Sequence, residues 1–325
     1  MNDLIFLHNK DNFYDLIENL SATNNIEDIL IEKDYWIMHA LFSMQQLGFS
    51  FHLKGGTSLS KGYHCIHRFS EDIDIKIDPD EDKCGFKVYF GKNHDKSKHC
   101  DSRKNFFDWI CAKLEGKING ITDVTRYEQF DDPSGKYRNG GILLQYKSAL
   151  MPSSGIKNGI LLEVGFGKTA PSIKKNISSW AYDDGSKRFN IIDNRAINVP
   201  CYEPRYTFVE KLQAIVRKYR LYKEKEKSST LPDNFIRHYY DLYQLINRED
   251  VQNFIGSDEY IEFKSQHFGK YDDTNINNCG AFKLQDPNDK KVFNSAYNRS
   301  EDLYYMGRPS FQQILDRISQ DIERL

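Results

Sequence analysis

The fold is decided by residues 54–77, KGGTSLSKGYHCIHRFSEDIDIKI, in which a glycine pair is followed by a segment that alternates charged and apolar residues. Alternation with a period of two predicts a half-buried strand over 72–77. Asp72 and Asp74 then project from the same face, because successive side chains of a strand point to opposite sides. Two neighbouring carboxylates repel each other, and a divalent cation removes that repulsion.

The glycine pair lies where a phosphate-binding turn would be needed. Gly55 and Gly56 are predicted to end a strand at 50–54 and to begin a short helix. The first N–H groups of that helix and the hydroxyls of Thr57 and Ser58 suit a phosphate chain. Taken alone, the glycines are equally well a tight turn, and alternating acids are usually a solvated strand face. Together they bring phosphates to a metal, which phosphoryl or nucleotidyl transfer requires.

This segment resembles the AbiEii/AbiGii nucleotidyltransferase toxins, which belong to the DNA polymerase β-like nucleotidyltransferase superfamily. The central match covers residues 54–75, EKDYW at 32–36 resembles the N-terminal helix signature of the family, and RHYYDL at 237–242 resembles its C-terminal element. The resemblance implies an α+β fold, in which a polymerase β-like core with a mixed sheet is followed by a C-terminal helical domain.

The resemblance also implies further site residues. The superfamily uses a third acid on a neighbouring strand, for which Glu163 is the candidate; its alternative is an edge-strand residue facing water. Lys211 resembles the phosphate-binding lysine of the family, and otherwise is a solvated helix lysine. Arg237 and Asp241, one helical turn apart, lie beside the nucleotide or form a plain ion pair. Ser70 binds a carboxylate or phosphate, or is a turn hydroxyl.

The predicted reaction transfers a nucleoside monophosphate from a nucleoside triphosphate to an acceptor hydroxyl and releases pyrophosphate. Mg²⁺, or alternatively Mn²⁺, is expected at Asp72, Asp74 and Glu163, with Lys211 neutralising phosphate charge. Related toxins are thought to modify tRNA, so the resemblance implies an RNA 3′ end as the acceptor and a cognate antitoxin as a partner. Two alternatives stay open: transfer to a small molecule or a protein hydroxyl, and a nucleotide-binding module without turnover.

The composition and charge of the chain indicate which other classes of partner to expect. The chain has 325 residues and a net charge of −2, which gives no overall preference for nucleic acid. Locally, 205–227 carries eight Lys/Arg against three Glu, whereas 249–302 carries eleven acids against six Lys/Arg. The first segment suits a polyanion or is a solvated helix face, and the second would repel RNA. Because no signal peptide and no apolar run of roughly 20 residues is present, we expect a cytoplasmic protein without a membrane partner.

Cysteines and histidines give no standard metal pattern. The six cysteines are scattered and form no CxxC, which predicts free thiols rather than a disulfide framework. A zinc site formed by Cys84, His94, His99 and Cys100 is the alternative to surface histidines and free thiols.

The other predicted elements suggest two domains, a nucleotidyltransferase domain at 1–200 and a mainly helical domain at 201–325. Helices are predicted at 26–47, 105–114, 207–227 and 235–246, strands at 122–128, 142–147 and 159–166, turns at 131–135 and 152–155, and irregular structure at 83–104. A last helix begins at Ser310, where Gln313 completes a capping box.

Overall fold

The computed structural model describes residues 4–91, 93–150, 159–167, 169–224, 231 and 235–325. The chain divides into two compact units, of which the first comprises Met1–Gly62 and Ser70–Cys201, and the second Tyr63–Phe69 and Tyr202–Leu325. The short segment between the glycine pair and the paired acids therefore belongs to the C-terminal unit, although both of its flanks belong to the first.

Seven strands of the described chain form one mixed sheet. They are β1 (Phe51–Leu53), β2 (Asp72–Ile77), β3 (Ile121–Arg126), β4 (Asn139–Tyr146), β5 (Ile160–Gly165), β6 (Ser172–Ile177) and β7 (Ala196–Tyr202). Their order across the sheet is β3-β4-β5-β2-β1-β7-β6. β2 lies at the centre, parallel to β5 and antiparallel to β1.

Twelve helices of the described residues accompany the sheet. The first unit contains α1 (Phe13–Asn24), α2 (Asp28–Gln46), α3 (Gly55–Thr57), α4 (Glu81–Cys84), α5 (Ser97–Leu114) and α6 (Trp180–Arg188). The second contains α7 (Pro204–Glu224), α8 (Arg237–Ile246), α9 (Glu249–Phe254), α10 (Asp258–His267), α11 (Pro287–Arg299) and α12 (Phe311–Ser319). Every one of these helices is too short or too polar to cross a lipid bilayer. The predicted α+β fold with a mixed sheet is confirmed.

The predicted strand at 72–77 is confirmed at its predicted bounds as β2, and its alternation has the expected physical cause. Ile73 and Ile75 are completely buried, whereas Asp72 and Asp74 are half-buried. Lys76, which by the same alternation shares the face of these two acids, is nevertheless buried. Its ammonium group is held by Asp78 and by Thr169.

The irregular region predicted at 83–104 is wrong in its second half. α5 begins at Ser97, and its first turns bury Ser102 and Arg103 rather than apolar side chains. The guanidinium of Arg103 donates to the backbone carbonyls of Lys136 at 2.7 Å and His94 at 2.8 Å. A hydrophobic periodicity could not reveal a helix whose buried face is polar. The turn predicted at 152–155 lies outside the described residues.

Five elements of the first unit had not been predicted, namely α1, α4, β6, α6 and β7. β6 is mostly polar and lies at one edge of the sheet, where alternation carries little signal. In the second unit the predicted capping box is confirmed: the Ser310 amide donates to Gln313 at 2.8 Å, and the Gln313 amide donates to the Ser310 hydroxyl at 3.3 Å. α12 then packs against α8.

Helix α2 is buried nearly all round rather than along one face. His39 in its middle has no exposed surface, and its Nε2 lies 2.9 Å from the Asn119 carbonyl while its Nδ1 lies 2.8 Å from the Asn194 side-chain amide. Burial, together with the nearby His8, lowers the pKa of His39 to about 3. The folded chain therefore keeps this imidazole neutral.

We expect acid to destabilise the chain through His39. Since its folded pKa lies below the unfolded value, the unfolded state binds more protons below about pH 6.5, and stability falls by up to about 1.4 kcal/mol per pH unit between there and pH 3. Urea unfolding at several pH values measures that slope. The His39→Gln variant, which keeps hydrogen-bonding groups but does not titrate, should show a shallower slope. An unchanged slope in the variant would contradict this assignment.

Candidate active site

The pairing register of β2 and β5 brings together the acidic residues of the candidate active site in the first unit. Asp74 lies directly opposite Glu163 on the neighbouring parallel strand, and Asp72 lies opposite Leu161. Side chains at paired and alternate positions share one face of a sheet, so the three carboxylates share a face. All three are half-buried. Glu163 lies on an interior strand between β4 and β2, so the alternative of an edge-strand residue is wrong.

The glycine bend lies against the second acid. The backbone N–H of Lys54 donates to the Asp74 carbonyl at 2.9 Å, and the hydroxyl of Thr57 donates to the Asp72 carbonyl at 2.6 Å. Gly55 has φ +64°, and a β-carbon there would lie 2.6 Å from the Asp74 carboxylate oxygen. The bend therefore requires glycine both for its left-handed backbone and for its contact with Asp74.

Replacing Gly55 with alanine tests this contact. We expect a loss of roughly 1 kcal/mol from the left-handed backbone and, because Asp74 must move, about a 100-fold fall in turnover. Gly85→Ala is the matched control, since Gly85 has φ +80° but nothing within 4 Å of its would-be β-carbon. It should lose similar stability and keep its turnover. Equal turnover in the two variants would show that the Gly55 contact is unimportant.

A lysine neutralises the exposed end of this carboxylate face. Lys54 Nζ lies 2.6 Å from Asp74 Oδ1, and the two side chains are 24% and 28% exposed. Within the described parts of the chain, no three acidic, histidine or cysteine side chains are arranged as a metal centre. The predicted metal site at Asp72, Asp74 and Glu163 thus stays a prediction. It requires these carboxylates to draw together and Asp74 to exchange its ammonium partner.

Two of the hydroxyl groups predicted to contact phosphate are less exposed to solvent than the three carboxylates. Thr57 and Ser58 are buried, and the Thr57 hydroxyl is committed to the backbone of Asp72. Gly56 is buried as well, whereas Ser70 is half-buried. The nucleotide-binding roles of these residues stay predictions.

The other predicted site residues lie in the second unit, around a buried carboxylate. Asp241 has no exposed surface and accepts from Arg68 through both oxygens, each at 2.7 Å. Lys211 Nζ lies 3.0 Å from the same carboxylate. Burial alone would raise the pKa of Asp241, but Arg68 and Lys211 hold it below its usual value. The carboxylate is thus ionised and fixes two cations from distant parts of the chain.

Lys211 also borders an imidazole. Its Nζ lies 3.4 Å from His238 Nδ1, and Lys218 Nζ lies 3.3 Å from His238 Nε2. Burial and then the two ammonium groups lower the pKa of His238 well below its usual value. Arg237, the neighbour of His238 on α8, is half-buried. The nucleotide contacts predicted for Lys211, Arg237 and Asp241 stay predictions, while the structure shows Lys211 fixed by Asp241.

Comparison with known proteins decides the family. A family model described as the nucleotidyl transferase AbiEii toxin of type IV toxin–antitoxin systems matches residues 36–317. The chain belongs to the AbiEii family. It is therefore a nucleotidyltransferase, and its place in a toxin–antitoxin system implies a cognate antitoxin.

Other comparisons add little to the AbiEii match. No curated protein matches the chain. Among solved structures it is similar to an antigenic nucleotidyltransferase-like protein from Paracoccidioides brasiliensis, at 11% identity, with 73% of this chain and 94% of that chain covered and a TM-score of 0.34.

Three basic residues in the described part of 205–227 pair with acids of 249–302 in this AbiEii chain. On α7, Arg205 pairs with Glu259 at 3.3 Å, and Lys223 pairs with Asp289 at 2.7 Å. Arg220 likewise reaches Asp272, at 3.4 Å. The acids at 249–302, expected to repel RNA, thus offset part of the local positive charge that had suggested a polyanion-binding surface.

Arg68 is the main residue that sequence reasoning missed in the second unit. It lies within the AbiEii motif, but Asp241 had been paired with Arg237, its neighbour one turn away on the same helix. The signal that could have revealed this pair is the family resemblance. Arg68 and Asp241 both lie in segments that resemble motifs of the same family, and such residues can be partners even when they are far apart in the sequence.

Proposed function

We propose that this AbiEii nucleotidyltransferase transfers a nucleoside monophosphate from a nucleoside triphosphate to the 3′-terminal hydroxyl of a tRNA, with Mg²⁺ or Mn²⁺ as its cofactor. The observation that carries the proposal is the pairing of Asp74 with Glu163 beside the Gly55 bend. It supports the proposal because carboxylate oxygens, which suit a hard cation, then share one sheet face next to a turn with a conformation only glycine adopts readily. The acceptor is proposed from the family resemblance.

Each residue has a distinct part in the proposed reaction. Asp72 and Asp74 would hold the divalent cation, which when bound stabilises the attacking and leaving oxygens. Glu163 would share a second cation or accept the proton of the attacking hydroxyl. The ammonium of Lys54, now paired with Asp74, would turn toward phosphate once that carboxylate has another partner. Lys211 would neutralise the β and γ phosphates.

The donor chemistry of this face fits a hard cation. Three carboxylates on adjacent strands supply only oxygen ligands, and Mg²⁺ prefers one or two carboxylates with water and phosphate oxygens in its remaining positions. The 2.6 Å ion pair of Lys54 with Asp74 shows that the face already attracts positive charge. A triphosphate would supply the further oxygens that the protein side chains do not.

Incubation with each labelled nucleoside triphosphate, Mg²⁺ and total tRNA tests the proposal. We expect label on the 3′ end of RNA, dependent on the divalent cation. Activity should fall steeply with salt, because an RNA acceptor releases counterions on binding, whereas a small uncharged acceptor would be nearly indifferent. Label on protein, or on a small molecule with no salt dependence, would instead establish the alternative acceptor.

A further inference from the structure

Three consecutive charged residues are buried in the N-terminal half of α2. Glu32, Lys33 and Asp34 are 0%, 0% and 1% exposed. Consecutive residues of an α-helix point about 100° apart, so these side chains contact three different surroundings. A buried charge is costly unless it is paired, and replacing a buried ion pair by apolar residues is often neutral for stability. Stability alone therefore does not explain a run of three.

Asp34 holds the segment that continues the glycine bend. Its Oδ1 lies 2.7 Å from the ammonium of Lys61, and its Oδ2 accepts from the backbone N–H of Trp180 at 3.0 Å. Lys61 lies in the wide helical turn Ser58–Gly62 directly after α3, and its ammonium also lies 5.0 Å from the centre of the Trp180 ring. Asp34 thus ties the far end of the bend to α2 and α6.

Lys33 contacts the residue that immediately precedes the paired acids. Its ammonium lies 4.0 Å from Glu71 Oε1, and both side chains are almost completely buried. Glu71 immediately precedes Asp72, the first residue of β2. Attraction between opposite charges at this separation is strong in a protein interior. Movement of Lys33 would therefore move the start of the strand that carries Asp72 and Asp74.

Glu32 contacts a different part of the unit. It accepts from the Ser148 hydroxyl at 2.6 Å, from Tyr14 at 3.1 Å and from the Trp36 indole at 3.4 Å. Ser148 follows β4, and none of these partners belongs to the bend or to β2. Glu32 is thus as deeply buried as Asp34 on the same helix, but within the described part of the chain it hydrogen-bonds to no candidate site segment.

We propose that Lys33 and Asp34 are positioning residues of the nucleotidyl transfer, with Lys33 fixing the carboxylates through Glu71 and Asp34 fixing the phosphate bend through Lys61. The inference rests on the proposed function of those two segments. It separates two effects: loss of Lys33 disturbs the metal-binding side chains, and loss of Asp34 disturbs nucleotide binding.

The test compares Lys33→Met, Asp34→Asn and Glu32→Gln in the full chain, with turnover divided by the folded fraction. Lys33→Met should lower kcat about 100-fold and raise the Mg²⁺ concentration needed for half-maximal rate, because a 1 Å misplacement costs that much. Asp34→Asn should chiefly raise KM for the nucleoside triphosphate. Glu32→Gln should keep both parameters even if its Tm falls equally. Lys33→Arg, which keeps the charge opposite Glu71, should restore kcat to within a few fold.

Because a lone buried ammonium can unfold the chain, Asp34→Asn is also combined with Lys61→Gln, which removes both charges. This double variant should fold and still show the raised KM. The proposal is overturned if Glu32→Gln lowers kcat as much as Lys33→Met, or raises KM as much as Asp34→Asn. It is also overturned if Lys33→Met and Asp34→Asn have the kcat and KM of the unaltered chain. Those results differ from retained turnover in Asp72→Asn, which would refute the proposed function itself.

Discussion

Asp74→Asn is expected to lower nucleotidyl transfer by about a thousandfold, and Asp72→Asn by a similar factor. Metal-supported stabilisation of the transition state amounts to several kcal/mol, and each ~1.4 kcal/mol is a factor of ten in rate. Asparagine keeps the shape of the side chain but offers a neutral, weaker oxygen ligand. The effect should appear in kcat, measured as pyrophosphate release with saturating nucleoside triphosphate, Mg²⁺ and acceptor.

The control for this prediction is Asp78→Asn. Asp78 follows the other end of β2, is 60% exposed and pairs with Lys76, so it removes a carboxylate without touching the bend. It should keep turnover within a few fold of the unaltered chain. Near-normal turnover in Asp72→Asn and Asp74→Asn, with both proteins folded, would remove the catalytic role from these residues.

Asp241→Asn is expected to destabilise the second unit by about 3–5 kcal/mol, because it leaves the buried cations Arg68 and Lys211 without their shared counter-charge. The side chains of Arg68 and Lys211 are only 5% and 10% exposed, so water has little access to replace the lost carboxylate. Denaturant unfolding followed by circular dichroism measures this loss. Turnover should also fall, since Lys211 loses its anchor.

The matched comparison is Asp250→Asn, which removes an exposed ion pair of the same unit. Asp250 lies 2.9 Å from Arg248, and the side chains are 43% and 33% exposed. Exposed pairs contribute about 0–1 kcal/mol, so this variant should lose little. Similar losses in the two variants would mean that Asp241 does not hold the second unit together.

The parts of the fold that sequence predicted are those with a strong local signal. β2 was predicted at its exact bounds because isoleucines alternate with charged residues on a central strand that is buried on one face. The capping box at Ser310 was equally local, since both partners lie within four residues. The family resemblance likewise rested on a contiguous block, and it supplied Glu163, whose register opposite Asp74 no local pattern contained.

The missed features depend on contacts between distant residues. Arg68 and Asp241 are 173 positions apart, and the helical spacing of Arg237 suggested a nearer partner for the aspartate. The segment Tyr63–Phe69 belongs to the second unit because its backbone bonds to Leu303 and its arginine to α8. Helix α2 was predicted from the spacing of its apolar residues, which does not reveal that three of its charged residues are buried with partners.

Direct measurement of divalent-cation binding tests the central claim of a metal site on β2 and β5. Mn²⁺ is titrated into the unaltered chain, and into Asp74→Asn, in the presence of a non-hydrolysable nucleoside triphosphate analogue, and protein-bound Mn²⁺ is followed by electron paramagnetic resonance. We predict a saturable site in the unaltered chain that is lost in Asp74→Asn and kept in Asp78→Asn. Equal Mn²⁺ binding by all three proteins would contradict the account.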